Sequence, residues 1–119
     1  MARVLICEPY DDISALLELV VRRLGHEPVA HTSAWSLDEI DAAVIEPGES
    51  TGLLLARRLR GRDVPMLFTS IYPADTLALD LAPAAYLVKP FPLYMLERAL
   101  GEALATASAP AGRPAALAV

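Results

Sequence analysis

Four polar side chains stand at the ends of short apolar runs, where they could act together. Glu8 follows VLIC, Glu46 follows AAVI and Lys89 follows YLV, while Thr69 ends the run MLFT. Two carboxylates, one hydroxyl and one ammonium can form charge-assisted hydrogen bonds and buried ion pairs. Such contacts require that the four runs end at the same edge of the fold.

The apolar runs alternate with segments of helical periodicity, which indicates parallel strands that are covered by helices on both faces. The predicted strands span residues 3–7, 28–31, 42–45, 65–69 and 84–88. We predict an α/β fold with an open, doubly wound, five-stranded parallel sheet in the flavodoxin-like order 2-1-3-4-5. The carboxyl ends of its strands share one edge, so the four polar residues should meet there.

A helix is predicted in each of the four crossovers and after the last strand. The helix in the second crossover should be stunted, around residues 35–40. Asp11 or Asp12 can cap the first helix, and Ser50 or Thr51 can cap the helix that stops at Gly61. The helix of the fourth crossover should span residues 73–81, and the last helix should follow Pro92. The predicted inward positions are Ile13, Leu16, Leu17, Val20 and Leu24; Leu55, Ala56 and Leu59; Leu77 and Leu81; and Leu93, Leu96, Leu100 and Leu104.

Length and composition indicate one domain, because the chain has 119 residues and 55% hydrophobic content. We assign residues 1–107 to this domain and interpret residues 108–119 as a flexible tail. The net charge of -5 disfavours nucleic acid and anionic membrane as partners. The single cysteine, Cys7, should pack in the core, and no apolar run approaches membrane-spanning length, so we expect a cytoplasmic protein.

Four stretches together resemble the receiver domain of two-component response regulators, namely VLICEP, VIEPGESTG, PMLFTS and AYLVKPF. The resemblance extends to the start of the tail, and its most specific part is YLVKPF. In that family, two acids after the first strand and an aspartate after the third hold Mg²⁺, and that aspartate accepts a phosphoryl group. A Thr or Ser and the lysine bind the group, and an aromatic residue reports its state. The resemblance assigns Glu8 to the first acid, and Thr69, Tyr86 and Lys89 to the switch.

The sequence departs from this family pattern at two positions. Pro9 stands in place of the second metal-binding acid, and Glu46 stands in place of the phospho-accepting aspartate. We therefore expect Mg²⁺ binding to be weak or absent, no other cofactor, no enzymatic activity, and no phosphorylation of Glu46. Glutamate reaches about 1.5 Å further than aspartate, so Glu46, directed at Lys89 and Thr69, could partly imitate a phosphoaspartate. Alternatively, Glu46 and Lys89 form a purely structural salt bridge.

Three functions follow from these residues. The favoured one is a stand-alone, atypical receiver that acts in signal transduction by phosphorylation-independent docking to a sensor kinase, an effector or a phosphorelay protein. The second is a working Mg²⁺-dependent phospho-acceptor in which Asp11 or Asp12 is a substitute acid. A small hydrolase or nucleotide-binding protein is disfavoured, since the sequence has neither a Gly-rich phosphate loop nor a G-x-S-x-G elbow.

A docking surface is expected where the fourth-crossover helix, the fifth strand and the last helix meet, because that face commonly mediates dimers or partner docking in receivers. Helical periodicity places Leu79, Tyr94 and Met95 outward on this face, near Tyr86. These apolar side chains could serve a protein partner or a homodimer.

Overall fold

The computed structural model describes residues 1–31 and 36–107, which alternate between strands and helices. The strands are β1 (Arg3–Cys7), β2 (Glu27–Ala30), β3 (Ala42–Ile45), β4 (Met66–Ser70) and β5 (Ala85–Val88). The helices are α1 (Asp11–Arg23), α2 (Ser50–Arg60), α3 (Thr76–Asp80) and α4 (Leu93–Ala107). The predicted tail, residues 108–119, lies outside the described residues.

The crossover between β2 and β3 contains a short 3₁₀ turn, Leu37–Glu39, and no α-helix in its described part. The side chain of Ser36 accepts a hydrogen bond from the Asp38 N–H and caps this turn. The prediction of a stunted second crossover, over residues 35–40, is therefore confirmed for its described part, while residue 35 itself lies outside it.

The five strands form one parallel sheet in the order β2-β1-β3-β4-β5, which confirms the predicted fold class. Its register aligns Cys7 with Ile45, Ile45 with Phe68, and Phe68 with Tyr86. The next residues along β1, β3 and β4 are Glu8, Glu46 and Thr69, so these three occupy one row at the carboxyl edge.

The sheet is buried on both faces, which explains why its strands are continuously apolar. On one face, Ile6, Val44 and Leu67 pack with residues of α1 and α4, such as Val20 and Leu100. The opposite face packs against α2 and α3. Because side chains alternate along a strand, Glu8, Glu46 and Thr69 share the α1 and α4 face with the residues two positions before them.

Three leucines predicted to face inward are exposed, namely Leu16, Leu77 and Leu93. Leu16 is 41% exposed, whereas Val21 is buried, because neighbouring helix positions differ by about 100° and the sheet selects the stripe that contains Leu17 and Val20. In α3, Leu77 is 57% exposed and Ala78 is buried in its place. This helix begins at Thr76, and Asp75 caps it by accepting a hydrogen bond from the Ala78 N–H. Leu93, also predicted inward, is exposed at the start of α4.

The predicted caps of α1 and α2 are wrong. The N-cap residues are Tyr10 and Glu49, and neither side chain makes a capping hydrogen bond. Asp11 and Asp12 lie inside the first turn of α1, where carboxylates still interact favourably with the helix dipole.

In the described part of the chain, no helix is long and apolar enough to cross a membrane.

Cys7 is buried in the core face that packs against α2 and α3, as predicted. Burial, with a smaller contribution from the charges of Glu8 and Glu49, raises the pKa of the thiol from 9.0 to about 11. The native thiol is therefore neutral at physiological pH and should react slowly with alkylating reagents.

The raised pKa of Cys7 predicts a loss of stability in alkaline solution. The unfolded chain loses the thiol proton at lower pH than the folded chain, so this contribution is present below the ordinary pKa of 9.0 and disappears as pH rises through about 11. Urea unfolding across this range should show the decrease in free energy of unfolding. A Cys7→Ala variant should lack this part of the pH dependence, and an equal slope in both proteins would contradict the assignment.

Candidate functional site

Lys89 joins two glutamates at the carboxyl edge of the sheet. Its Nζ donates to Glu8 Oε1 at 2.6 Å and to Glu46 Oε1 at 3.3 Å. The Lys89 side chain is 11% exposed, and those of Glu8 and Glu46 are 1% and 10% exposed. The sequence indicated a contact between Glu46 and Lys89, but it did not indicate that the shorter contact is made by Glu8. We call these three residues the lysine cluster.

The second oxygen of each glutamate is held by the backbone of the following turn. The Tyr10 N–H donates to Glu8 Oε2 at 3.3 Å, and the Gly48 N–H donates to Glu46 Oε2 at 3.0 Å. All four carboxylate oxygens of the lysine cluster therefore have a donor within the chain. Neither backbone donor was foreseen from the sequence, because hydrophobic periodicity carries no information about loop N–H directions.

Thr69 lies in the same row as Glu8 and Glu46 but is not bonded to them. The residue is 1% exposed, and its Oγ1 has no hydrogen-bond partner among the residues that the structure describes. The predicted contact between Glu46 and Thr69 is thus not made, and the Glu46 oxygens instead accept from Lys89 and Gly48. A buried hydroxyl without a partner is unfavourable, so Thr69 can still donate to an oxygen placed beside it.

Asp11 and Asp12, which the sequence offered as substitute acids for an acidic pocket with Glu8, lie outside the lysine cluster. Both are exposed at the start of α1, and Asp12 Oδ1 accepts a hydrogen bond from the Ile13 N–H at 2.9 Å. The chain turns at Pro9 and Tyr10 and enters the helix at Asp11, which leaves both carboxylates in solvent. The acidic pocket is therefore formed by Glu8 and Glu46.

Tyr86 lies on the other face of the sheet from the lysine cluster. Its ring packs edge-on against Phe68, with centroids 6.4 Å apart and an interplanar angle of 81°. Its hydroxyl donates to the Tyr72 carbonyl at 2.9 Å. On this face the sequence missed Ser70, which is buried and accepts a hydrogen bond from the Tyr72 N–H at 3.2 Å.

The residues present do not fit the Mg²⁺ site that the resemblance implies. Mg²⁺ requires oxygen ligands in near-octahedral geometry, whereas Pro9 offers no side-chain oxygen and the oxygens of Glu8 and Glu46 are bonded to N–H donors. Within residues 1–31 and 36–107, no group of three or more His, Cys, Asp or Glu side chains is arranged to hold a metal ion.

The three apolar residues that were predicted to point outward from the last two helices are exposed in the structure. Leu79 is 56% exposed, Tyr94 is 62% exposed and Met95 is 39% exposed. They lie on α3 and α4, and the neighbouring strand β5 is an edge strand of the sheet, with Val88 also exposed. We call Leu79, Val88, Tyr94 and Met95 the β5 face.

Comparison with known proteins identifies the class of fold. No protein-family model matches the sequence, and no curated protein matches it in sequence. Among solved structures, a response regulator from Thermotoga maritima is 18% identical, with a TM-score of 0.72, covering 88% of this chain and 98% of its own. A sensor protein from Polaromonas sp. JS666 is 24% identical, with a TM-score of 0.74 and coverages of 89% and 98%.

The chemotaxis protein CheY4 from Vibrio cholerae is similar to the same extent, with 17% identity, a TM-score of 0.72 and coverages of 87% and 99%. Other matched structures are signal receiver domains, and the matches to the three structures above cover nearly their whole length. The chain therefore has the receiver fold, which confirms the resemblance seen in the sequence at the level of the fold.

Proposed function

We propose that this chain is a receiver-type signalling module that acts by docking to a protein partner without being phosphorylated. The lysine cluster carries this proposal. The ammonium that binds a phosphoryl group in receivers is held here at 2.6 Å and 3.3 Å from two carboxylates of the same chain. Both carboxylates are in turn fixed by backbone N–H groups.

The charge of the site opposes phosphoryl transfer. Two carboxylates and one ammonium leave one net negative charge in a buried position, and phosphoryl transfer depends on neutralising the charge of the incoming group. Glu46 would also have to give up contacts with Lys89 and Gly48 before it could attack. These features favour the docking function over the phospho-acceptor.

Glu46 supplies part of what a phosphoaspartate would supply. Its charge-assisted contact with Lys89 is made without a phosphoryl group, whereas Thr69 has no partner among the described residues and the Tyr86 hydroxyl is bonded to Tyr72. The imitation is therefore confined to the lysine. We infer that the cluster holds one arrangement constantly, and that docking is governed by the presence of the partner.

The first test is labelling with acetyl phosphate and Mg²⁺, read by intact mass. The wild type should gain no phosphoryl mass, whereas a Glu46→Asp, Pro9→Asp double variant, which restores both acids of the family pattern, should gain it. Omission of Mg²⁺ from the variant is the control and should abolish labelling. A phosphorylated wild type would favour the second function, and peptide mapping would identify the carboxylate.

The second test concerns the β5 face, where we expect a protein partner of the signalling pathway or a second copy. Leu79→Glu and Met95→Glu should each weaken self-association or partner binding at least tenfold, since a charge would enter an apolar contact. Leu19→Glu and Leu54→Glu are matched controls, because these leucines are 51% and 60% exposed on α1 and α2. Sedimentation velocity and affinity measurements give the readout, and equal effects of all four substitutions would exclude the face.

A further inference from the structure

The two glutamates of the lysine cluster stand in the same short motif. Glu8-Pro9-Tyr10 and Glu46-Pro47-Gly48 both have the sequence Glu-Pro-Xaa, and in both the N–H of the third residue donates to Oε2 of the glutamate. Proline has no N–H and a fixed φ, so the third residue provides the first available donor and the turn is rigid. Each motif folds its carboxylate back over its own turn and leaves Oε1 for Lys89.

The Lys89 ammonium is bound by the glutamates of both motifs. Its Nζ contacts Oε1 of both glutamates and lies on a side chain that is 11% exposed. An ammonium has three donors, and two of them are used here. The two Oε1 atoms belong to residues that follow different strands, and both are directed at one positive charge.

We propose that the Lys89 ammonium is a built-in cation that takes the place of a divalent metal ion between Glu8 and Glu46. A divalent ion would need the same Oε1 atoms at shorter distances, since Mg²⁺ binds oxygen at about 2.0–2.1 Å. It would also be repelled by the ammonium unless the lysine left the pocket. Because the lysine is part of the chain, no free ion has to be bound. The ion pairs of the lysine cluster therefore form at any metal concentration.

A built-in cation accounts both for the proline at position 9 and for the orientation of the Glu46 carboxylate toward Gly48 and Lys89. In the first motif the proline removes a possible ligand and positions Glu8 at the same time, and the second motif positions Glu46 in the same way. The inference goes beyond the proposed docking function and does not depend on it, because the experiment below measures metal binding directly.

Removal of the ammonium should convert the cluster into a metal site. Lys89→Met keeps an unbranched side chain of similar length but leaves the Oε1 atoms of Glu8 and Glu46 without their cation, with the unpartnered Thr69 hydroxyl in the same row. One or two carboxylates with water are a common way of holding Mg²⁺. We expect the variant to bind Mn²⁺ or Mg²⁺, and the wild type not to bind them at this cluster.

The experiment is a Mn²⁺ titration followed by electron paramagnetic resonance of the free ion, with thermal unfolding in Mg²⁺ against NaCl of equal ionic strength. The wild type should show equal Tm in both salts. Lys89→Met should show a Tm higher by about 5 °C when Mg²⁺ is at about ten times its Kd. A Glu8→Gln, Lys89→Met double variant is the control and should lose this gain.

Two results would overturn the proposal. One is Mn²⁺ binding by the wild type that Glu8→Gln abolishes, and the other is a folded Lys89→Met variant that binds no more metal than the wild type. If Lys89→Met is unfolded without metal, the same titration is followed by circular dichroism. Recovery of folded protein with Mn²⁺ would then support the proposal, and no recovery at saturating Mn²⁺ would count against it.

Discussion

Replacing Gly52 by alanine is expected to lower the free energy of unfolding by at least about 3 kcal/mol, near the upper end for overpacked sites. Gly52 lies in the first turn of α2 and is buried against the end of β3. A Cβ at this position would lie 2.2 Å from the Glu46 carbonyl oxygen and 3.1 Å from Ile45 Cγ2. The closer atom belongs to the backbone, so relief requires that α2 moves away from β3.

The matched control is Gly101→Ala in α4, where an added Cβ meets no atom within 4 Å. This exposed helix position should gain up to about 1 kcal/mol from the higher helix propensity of alanine. Urea unfolding followed by circular dichroism compares the two variants with the wild type. A Gly52→Ala protein as stable as the wild type would show that α2 can move from β3 without loss, and would remove the steric reason for a glycine here.

The fold was largely predictable because buried parallel strands and helices leave different periodicities in the sequence. The predicted bounds of β1 and β3 agree with the structure. Those of β2 and β4 are shifted by one residue at both ends, and β5 begins one residue later than predicted. What periodicity could not decide was which of two neighbouring leucines faces the sheet. Leu16 and Leu17 both fit an apolar stripe, and only packing against the strands selects Leu17.

The site was predictable in its chemistry and less so in its contacts. The position of each residue after its strand placed Glu8, Glu46, Thr69 and Lys89 at one edge, and the register supports this placement. The contacts depend on side-chain rotamers and on N–H directions in the turns, which spacing does not determine. Thr69 shows the difference, since it lies in the expected row and yet bonds to neither Glu46 nor Lys89.

Removal of the Lys89 charge should destabilise the protein in metal-free buffer by about 3–5 kcal/mol, the range for breaking a buried ion pair. Lys89→Met leaves Glu8 and Glu46 buried, each with one backbone N–H as its only donor within residues 1–31 and 36–107. The measurement is urea unfolding at neutral pH in the presence of a chelator. A loss below about 1 kcal/mol would mean that the pair behaves like a solvated surface salt bridge.

Double-mutant cycles can show how much of this loss of stability comes from the contact of Lys89 with each glutamate. Lys89 lies 2.6 Å from Glu8 and 3.3 Å from Glu46, and Glu8 is the more buried of the two, so the Glu8→Gln cycle with Lys89→Met should give the larger coupling energy. Glu8→Gln alone should have a smaller effect than Lys89→Met, because it leaves a neutral pair between Glu46 and Lys89. A larger coupling energy with Glu46 would instead mean that Lys89 stabilises chiefly the carboxylate in the phospho-acceptor position and contributes less to Glu8.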